Sequence, residues 1–345
     1  MGQVSARMRT TLRLRRSCGR AIADGGRTVT QAARDHRVSW PVAMRELNAY
    51  ATEVLPAQPE PASVIGIDEI RRGTPRWEQN PETGKYRLIA DRWHVGFTDL
   101  VGDQGLLGQV EGRLSTVVAA WLNARPAAWR TAVGYVAIDM CAVFRCAVRA
   151  ALPHATLVVD HFHVVQLANT KLAELRRRLT WKLRDRRGRK GDPEYDHRRL
   201  LRTNAEDLSD EQRRILERDL RRIGTYGRHL LEGWQAMEKL RALLALARTH
   251  PTRSQIGHRL HDFYAWCADH AYLPELVTLA ETVQEWQSEI VAFLLTGITN
   301  AKSEGINRVI KLEARCAYGF RNPVNQRLRS RCATIRASRN RTIPA

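Results

Sequence analysis

The amino-acid sequence predicts an α/β protein in which a mixed-sheet core is interrupted by a large all-helical insertion and preceded by a small helical unit. Three observations predict it. Short apolar runs that end in an acid recur between residues 64 and 160. From about Val164 to Phe293 the apolar spacing is helical nearly throughout, and a proline-rich break from Pro56 to Ser63 sets the core apart from a basic, helical start.

Residues 1–55 are read as a helix-turn-helix region. Gly25-Gly26 separate an Arg-rich first helix from the short amphipathic segment Val29–His36, and Ser39-Trp40-Pro41 marks a further helix start running to about Thr52. Ser39 is expected to accept a bond from a free helix N–H, and Pro41 lacks the donor that would go unpaired there. A short helix, a tight turn and a capped second helix resemble the unit that lays its second helix in a DNA major groove, where Trp40 or Arg45 would reach bases or phosphates. An ordinary helical hairpin is the alternative. Residues 56–63, with Pro56, Pro59 and Pro61, form the linker.

The first part of the core, residues 64–165, opens with strands at Val64–Asp68, Tyr86–Ala90 and Trp93–Leu100, the first two separated by the turn-rich Asn80–Gly84. A helix at Ser115–Asn123, a strand at Val133–Asp139, a helix at Phe144–Leu152 and a strand at Ala155–Asp160 follow. In ribonuclease-H-like folds this order sets the first and fourth strands side by side, which would bring Asp68 and Asp139 together. Residues 166–297 form the helical insertion, with polar linkers near Gly188–Pro193 and His250–Arg253. Residues 298–345 return to the core as a helix bearing Glu304, followed by a basic tail.

The charge narrows the class of partner. Lys and Arg number 56 against 36 Asp and Glu, a formal +20, which favours a polyanion and makes its binding salt-sensitive. A ribosomal or membrane-surface protein could share that excess. Residues 171–190 hold ten Lys or Arg, including Arg176, Arg177, Arg178, Arg186 and Arg187, read as a phosphate track against the alternative of a solvated face. The six cysteines, Cys18, Cys141, Cys146, Cys267, Cys316 and Cys332, lack zinc spacing and are expected to be reduced thiols. The Arg-rich amino terminus faintly resembles a transit peptide but has no apolar core, and no apolar run is long enough for a membrane helix. A cytoplasmic, nucleoid-associated protein is the expectation.

Strand-end carboxylates on a rigid frame suit the fixing of metal ions. Asp68 and Asp139 have that setting, and Glu304 supplies a third acid from a helix on which Arg308, Lys311 and Arg315 share its face while Ile306, Val309 and Ile310 take the other. Carboxylates suit Mg2+ or Mn2+, and a pair of such ions can activate the attacking oxygen and stabilise the leaving one in phosphodiester displacement. Each acid alone has a structural explanation, as a turn acceptor or a helix-start charge; their joint order carries the reading. Asp160-His161-Phe162-His163 offers a competing second acid, or else Asp160 and His163 support the sheet edge and the start of the insertion. No Walker-type loop or G-x-S-x-G elbow is present, so nucleotide hydrolysis and serine esterase chemistry have no support.

Together Gly66-Ile67-Asp68-Glu69, Ile138-Asp139-Met140, Leu152–Ala155, Val158–Val164, Ser303–Lys311 and Ala317–Asn322 resemble transposases of the bacterial insertion-sequence family ISL-three, from about Arg27 to Ile335. The resemblance implies a DDE transposase with a ribonuclease-H-like core that binds an insertion sequence's terminal inverted repeats, cleaves there with divalent metal and joins the ends to target DNA. It matches Asp68 to the first acid and Glu304 to the last; Asp139 is taken as the second and Asp160 remains a contender. Family members carry a cysteine-rich zinc element before the helix-turn-helix, where this chain has only Cys18. A homo-oligomer on DNA is expected because two ends must be held. The rival readings are a catalytically decayed, transposase-derived DNA-binding protein and a stand-alone nuclease.

Overall fold

The computed structural model describes residues 10–341; the first nine residues of the basic start and the last four of the tail lie outside the described residues. The described chain divides into two compact units, one built from the residues up to Leu157 together with those from Asn300 onward, the other from Val158–Thr299.

The first unit begins with three helices, α1 (Leu12–Ala23), α2 (Val29–Asp35) and α3 (Trp40–Val54). Thr28 and Gln31 close a reciprocal capping box at the start of α2. Ser39 does not make the side-chain cap expected of it; α3 starts on an extended Ser39 backbone with Pro41 in its first turn. With Pro41 contributing no N–H, one of the donors that a cap would satisfy is absent. Cys18, Ile22, Ala43 and Leu47 form the core of this head.

The core sheet follows: β1 (Val64–Arg71), β2 (Arg76–Gln79), β3 (Tyr86–Ala90), β4 (Trp93–Asp99) and β5 (Leu106–Glu111), then α4 (Ser115–Asn123), α5 (Ala127–Ala132), β6 (Tyr135–Ile138), α6 (Ala142–Ala151) and β7 (Thr156–Val159). Five strands make one mixed sheet in the order β5-β4-β1-β6-β7. β1 runs antiparallel to β4, pairing Ile67 with Phe97, and parallel to β6, pairing Ile67 with Ile138. The assignment of Tyr86–Ala90 to the sheet is corrected: β3 pairs only with β2, as an exposed two-stranded ribbon, and the sheet's third strand in chain order is β5. Gly108 and Gln109 interrupt the apolar run of β5, which hid it from the periodicity. Val64 to Ile67 are buried consecutively, as a central strand covered on both faces requires. On one of them Trp121 of α4 stacks on Phe97 at 3.8 Å between centroids.

The second unit is helical: α7 (His161–Arg184), α8 (Pro193–Asp196), α9 (Asp210–Arg222), α10 (Thr225–Ala245), α11 (Arg253–Asp269), α12 (Pro274–Glu285) and α13 (Gln287–Thr296), with short 3-10 turns between some of them. Gly233 lets α10 approach α7, since a Cβ there would crowd Leu175 and Leu172.

The chain returns to the first unit with α14 (Ala301–Cys316) and α15 (Pro323–Arg341). The stretch read as a basic tail is an integrating helix up to the end of the described residues. Cys332 is buried in the α1–α3 core, with Leu328 packed against it. Arg336 donates to the Ala23 carbonyl at 2.6 Å, and Arg331 to that of Pro56 at 2.7 Å. Arg329, buried, pairs with buried Glu313 of α14. The sequence hides this role because the few apolar residues of α15 lie among arginines whose charges are satisfied only in three dimensions.

Candidate catalytic site

β1 turns Gly66, Asp68 and Ile70 to one face, the period-two alternation of a strand, and α14 lies along that face. Its first turns approach closely because residue 66 is glycine: a Cβ there would come within 3.0 Å of Ser303 Oγ, Asn300 Oδ1 and Leu100 Cδ2. Asn300 Nδ2 donates to the Ile67 carbonyl at 3.1 Å, and Asn307 Nδ2 donates to Asp68 Oδ2 at 2.6 Å. Ile70, Leu106, Ile306 and Ile310 close an apolar cluster behind them. The other Asp68 oxygen accepts the Glu69 backbone N–H at 2.6 Å, so both oxygens are oriented.

The acids expected to act together come from neighbouring elements. Asp68 and Asp139 each directly follow the last paired residues of β1 and β6, Ile67 and Ile138, so they are carried by adjacent strands at the same level. Glu304 lies one helical turn before Asn307 on α14, hence on the face whose Asn307 already touches Asp68. All three acids are half-buried. Among the described residues no three His, Cys, Asp or Glu side chains are grouped closely enough to hold a metal ion. The three acids are therefore a convergence of elements and not a closed ligand set.

Asp160 and His163 lie in the second unit. Asp160 is 3% exposed and caps α7, accepting the Phe162 N–H at 2.9 Å, and its Oδ1 is 3.4 Å from His161 Nδ1. His161 stacks on Phe293 at 4.8 Å, and His163 meets Phe162 edge-on at 5.7 Å. Asp160 thus has a helix-capping function of its own.

The candidate DNA-binding residues divide by what already engages them. Trp40 is 49% exposed at the start of α3, whereas Arg45 donates twice to Glu46 at 3.0 Å, an acid that Arg15 also holds at 2.9 Å. Arg178 is bidentate to Glu275 at 2.6 and 2.8 Å, and Arg186 is bidentate to Asp192 at 2.7 and 2.9 Å. Arg176 is half-buried, its guanidinium pKa lowered by burial and then by neighbouring Arg177 and Arg198. Arg177 and Arg187 are exposed, as are Arg308, Lys311 and Arg315 along α14. The stretch at 176–187 is therefore partly an internal clasp.

Sequence reasoning gave no role to Gly66, Asn300, Ser303 or Asn307. All but Asn300 fall within the two motif stretches around Asp68 and Glu304, and the tertiary reason for those motifs is that they dock on each other.

Among known proteins, a solved chain described as "Drosophila P element transposase strand transfer complex" aligns over 93% of this chain and 91% of its own at 10% identity, with a TM-score of 0.46, a likeness too distant to carry an argument. No curated protein matches. The profile of the ISL3-type DDE family, described as Transposase, matches residues 65–330, and this chain belongs to that transposase family.

Proposed function

We propose that the protein is an active DDE transposase with a ribonuclease-H-like core, which binds the ends of an insertion sequence, cuts the DNA there and transfers the strands to a target. The observation that carries this reading is the docking of α14 on β1, in which the Asn307–Asp68 bond holds the helix bearing Glu304 against the strand end next to Asp139.

The donor chemistry fits the metal that the family implies. Asp68, Asp139 and Glu304 are all carboxylates, the ligands that Mg2+ or Mn2+ prefers, and they would hold one or two ions. When bound, the ions would activate the attacking oxygen and stabilise the leaving one. Asn307 and the Glu69 N–H fix the orientation of Asp68. The exposed cations Arg308, Lys311 and Arg315 follow Glu304 along its helix and would grip the phosphates flanking the cut. The α1–α3 head would read DNA as a helix-turn-helix through the start of α3 at Trp40, with Arg177 and Arg187 as further phosphate contacts. Asp160 is a cap in this reading, not the second acid.

The test is incubation of purified protein with a labelled fragment carrying the element's end, with Mg2+ or EDTA, beside Asp139→Ala and Asp160→Ala variants. Metal-dependent nicking that disappears with Asp139→Ala and survives in Asp160→Ala is expected. The reverse pattern would move the second acid to Asp160, and tight binding without any cutting would make the protein a DNA-binding regulator.

A further inference from the structure

The motif Ala317-Tyr318-Gly319-Phe320-Arg321-Asn322 has no part in the acid chemistry, yet the first unit builds a cavity around it. The cavity measures about 610 Å3, within the range of small-molecule sites. Its rim carries Arg71, Arg76, Lys311 and Arg321, all exposed, and its floor is Ile70, Ile310 and Phe320. Among the described residues Asp91 is the one acid that lines it, and its Oδ1 accepts the Trp93 N–H at 3.0 Å.

The wall is held in place. Arg72 reaches across from the end of β1, donating to the Phe320 carbonyl at 3.1 Å and to the Gln326 side chain. Its guanidinium pKa is lowered chiefly by burial; the charge of Glu111 opposes that shift, and Arg327 and Arg76 nearby add to it. Gly319 N–H bonds back to Ala314 O at 2.8 Å and Tyr318 N–H to Arg315 O at 3.0 Å, closing the end of α14. This turn leaves the Tyr318 ring fully exposed, on a residue at φ 52°. Tyr318 does not itself line the cavity, but it directly precedes Gly319 and Phe320, which do, and its ring is bare.

We infer that this cavity binds one unpaired nucleotide of the DNA strand next to the position being cut, its phosphate on Arg76 and Arg321, its base against the apolar floor and Tyr318. The inference rests on the transposase reading and adds a site to it. An apolar floor has no use for a bare phosphate, whereas a base supplies a flat apolar face and stacks on aromatic rings without sequence preference. The position is also right for a flanking nucleotide. Ile70 is two residues beyond Asp68, roughly 7 Å along the strand, and Lys311 is two turns beyond Glu304, roughly 10 Å along the helix. One strand would run from the acids to the cavity within a few nucleotides.

The experiment compares the full chain's affinity, in EDTA, for a forked duplex with a short unpaired flap and for a blunt duplex of the same sequence, with 2-aminopurine in the flap. Wild-type protein is expected to prefer the fork. Arg76→Ala/Arg321→Ala should cut fork affinity about tenfold while changing blunt-duplex affinity less than threefold, and should lower the salt slope on the fork by about 0.7, the loss of one single-strand phosphate contact. Tyr318→Ala, at a fully exposed site, should abolish the 2-aminopurine response. Equal losses on fork and duplex would reduce the cavity to general electrostatics and overturn the proposal, as would competition by inorganic phosphate as effective as that by a mononucleotide. The variant Asp139→Ala separates the two readings: it should lose cutting and keep the fork preference. A wild-type protein that prefers forks but never cuts would overturn the catalytic reading alone.

Discussion

Replacing Gly66 by Ala probes the contact on which the site depends. The new methyl group would lie within 3.0 Å of Ser303 Oγ, Asn300 Oδ1 and Leu100 Cδ2. Asn300 cannot simply swing away, because its Nδ2 is bonded to the Ile67 carbonyl. β1 cannot retreat either, since it is paired on one side to β4 and on the other to β6. Relief must come from the start of α14, and Glu304 moves with it. Overpacking of this kind costs about 1–3 kcal/mol, and at roughly 2–4 °C per kcal/mol a unit of this size should melt several degrees lower. A displacement of about 1 Å at the reacting groups costs on the order of a hundredfold in rate. Thermal unfolding and Mg2+-dependent nicking of a labelled end, with DNA binding measured in parallel, read the two effects separately. Ser303→Ala removes one of the clashing atoms, so the double variant should recover part of the loss, a coupling expected between neighbours in contact. Wild-type melting and wild-type nicking in Gly66→Ala would refute the close docking of α14 on β1.

Other perturbations test separate parts of the molecule. Asn307→Ala removes a bond to a carboxylate worth about 1.5–3 kcal/mol and should lower nicking about ten- to a hundredfold with DNA affinity unchanged; a loss of binding instead would place Asn307 in the DNA interface. His94 is fully buried, neither ring nitrogen has a hydrogen-bond partner among the described residues, and burial followed by the charge of Arg72 pushes its pKa down to about 4. The unfolded chain, with a pKa near 6.5, therefore binds the proton more readily between those values, and stability should fall by about 3 kcal/mol as the pH drops from about 6.5 to about 4. In urea titrations His94→Leu should flatten that slope, and an unchanged slope would assign it to other groups. Burial alone would raise the Glu275 pKa, but the hydrogen bonds and charge of Arg178 outweigh it and hold the carboxyl below its ordinary range. That stabilisation is complete above the unfolded value near 4.3 and is lost as the pH falls through the lower folded value. Arg178→Ala should accordingly destabilise the second unit by about 2 kcal/mol at neutral pH, the cost of stranding a buried acid discounted for a partly exposed partner; a melting temperature within a degree of wild type would deny the clasp its structural weight. Asp160→Ala should cost about 1 kcal/mol through the lost cap of α7, visible in thermal melts.

The sequence determined the family, the alternation of acids with strands and helices, and the helical character of residues 164–293, because each of these is written in local chemistry: residue identity at motif positions, period two against period 3.6, proline breaks. It named Asp68, Asp139 and Glu304 from position along the chain. It misread β3 as a member of the main sheet and passed over β5, since strand pairing is a non-local choice that neither propensity nor alternation encodes. The strand order did anticipate β1 beside β6, but only the tertiary structure showed that Gly66 is small to admit Asn300 and Ser303, and tied Asn307 to Asp68 across 239 positions of chain. The basic stretches were ambiguous for a related reason. Whether an arginine faces a phosphate or an acid of its own chain depends on what folding sets opposite it, as Arg178 found Glu275 and Arg186 found Asp192 while Arg308 and Lys311 stayed open to solvent.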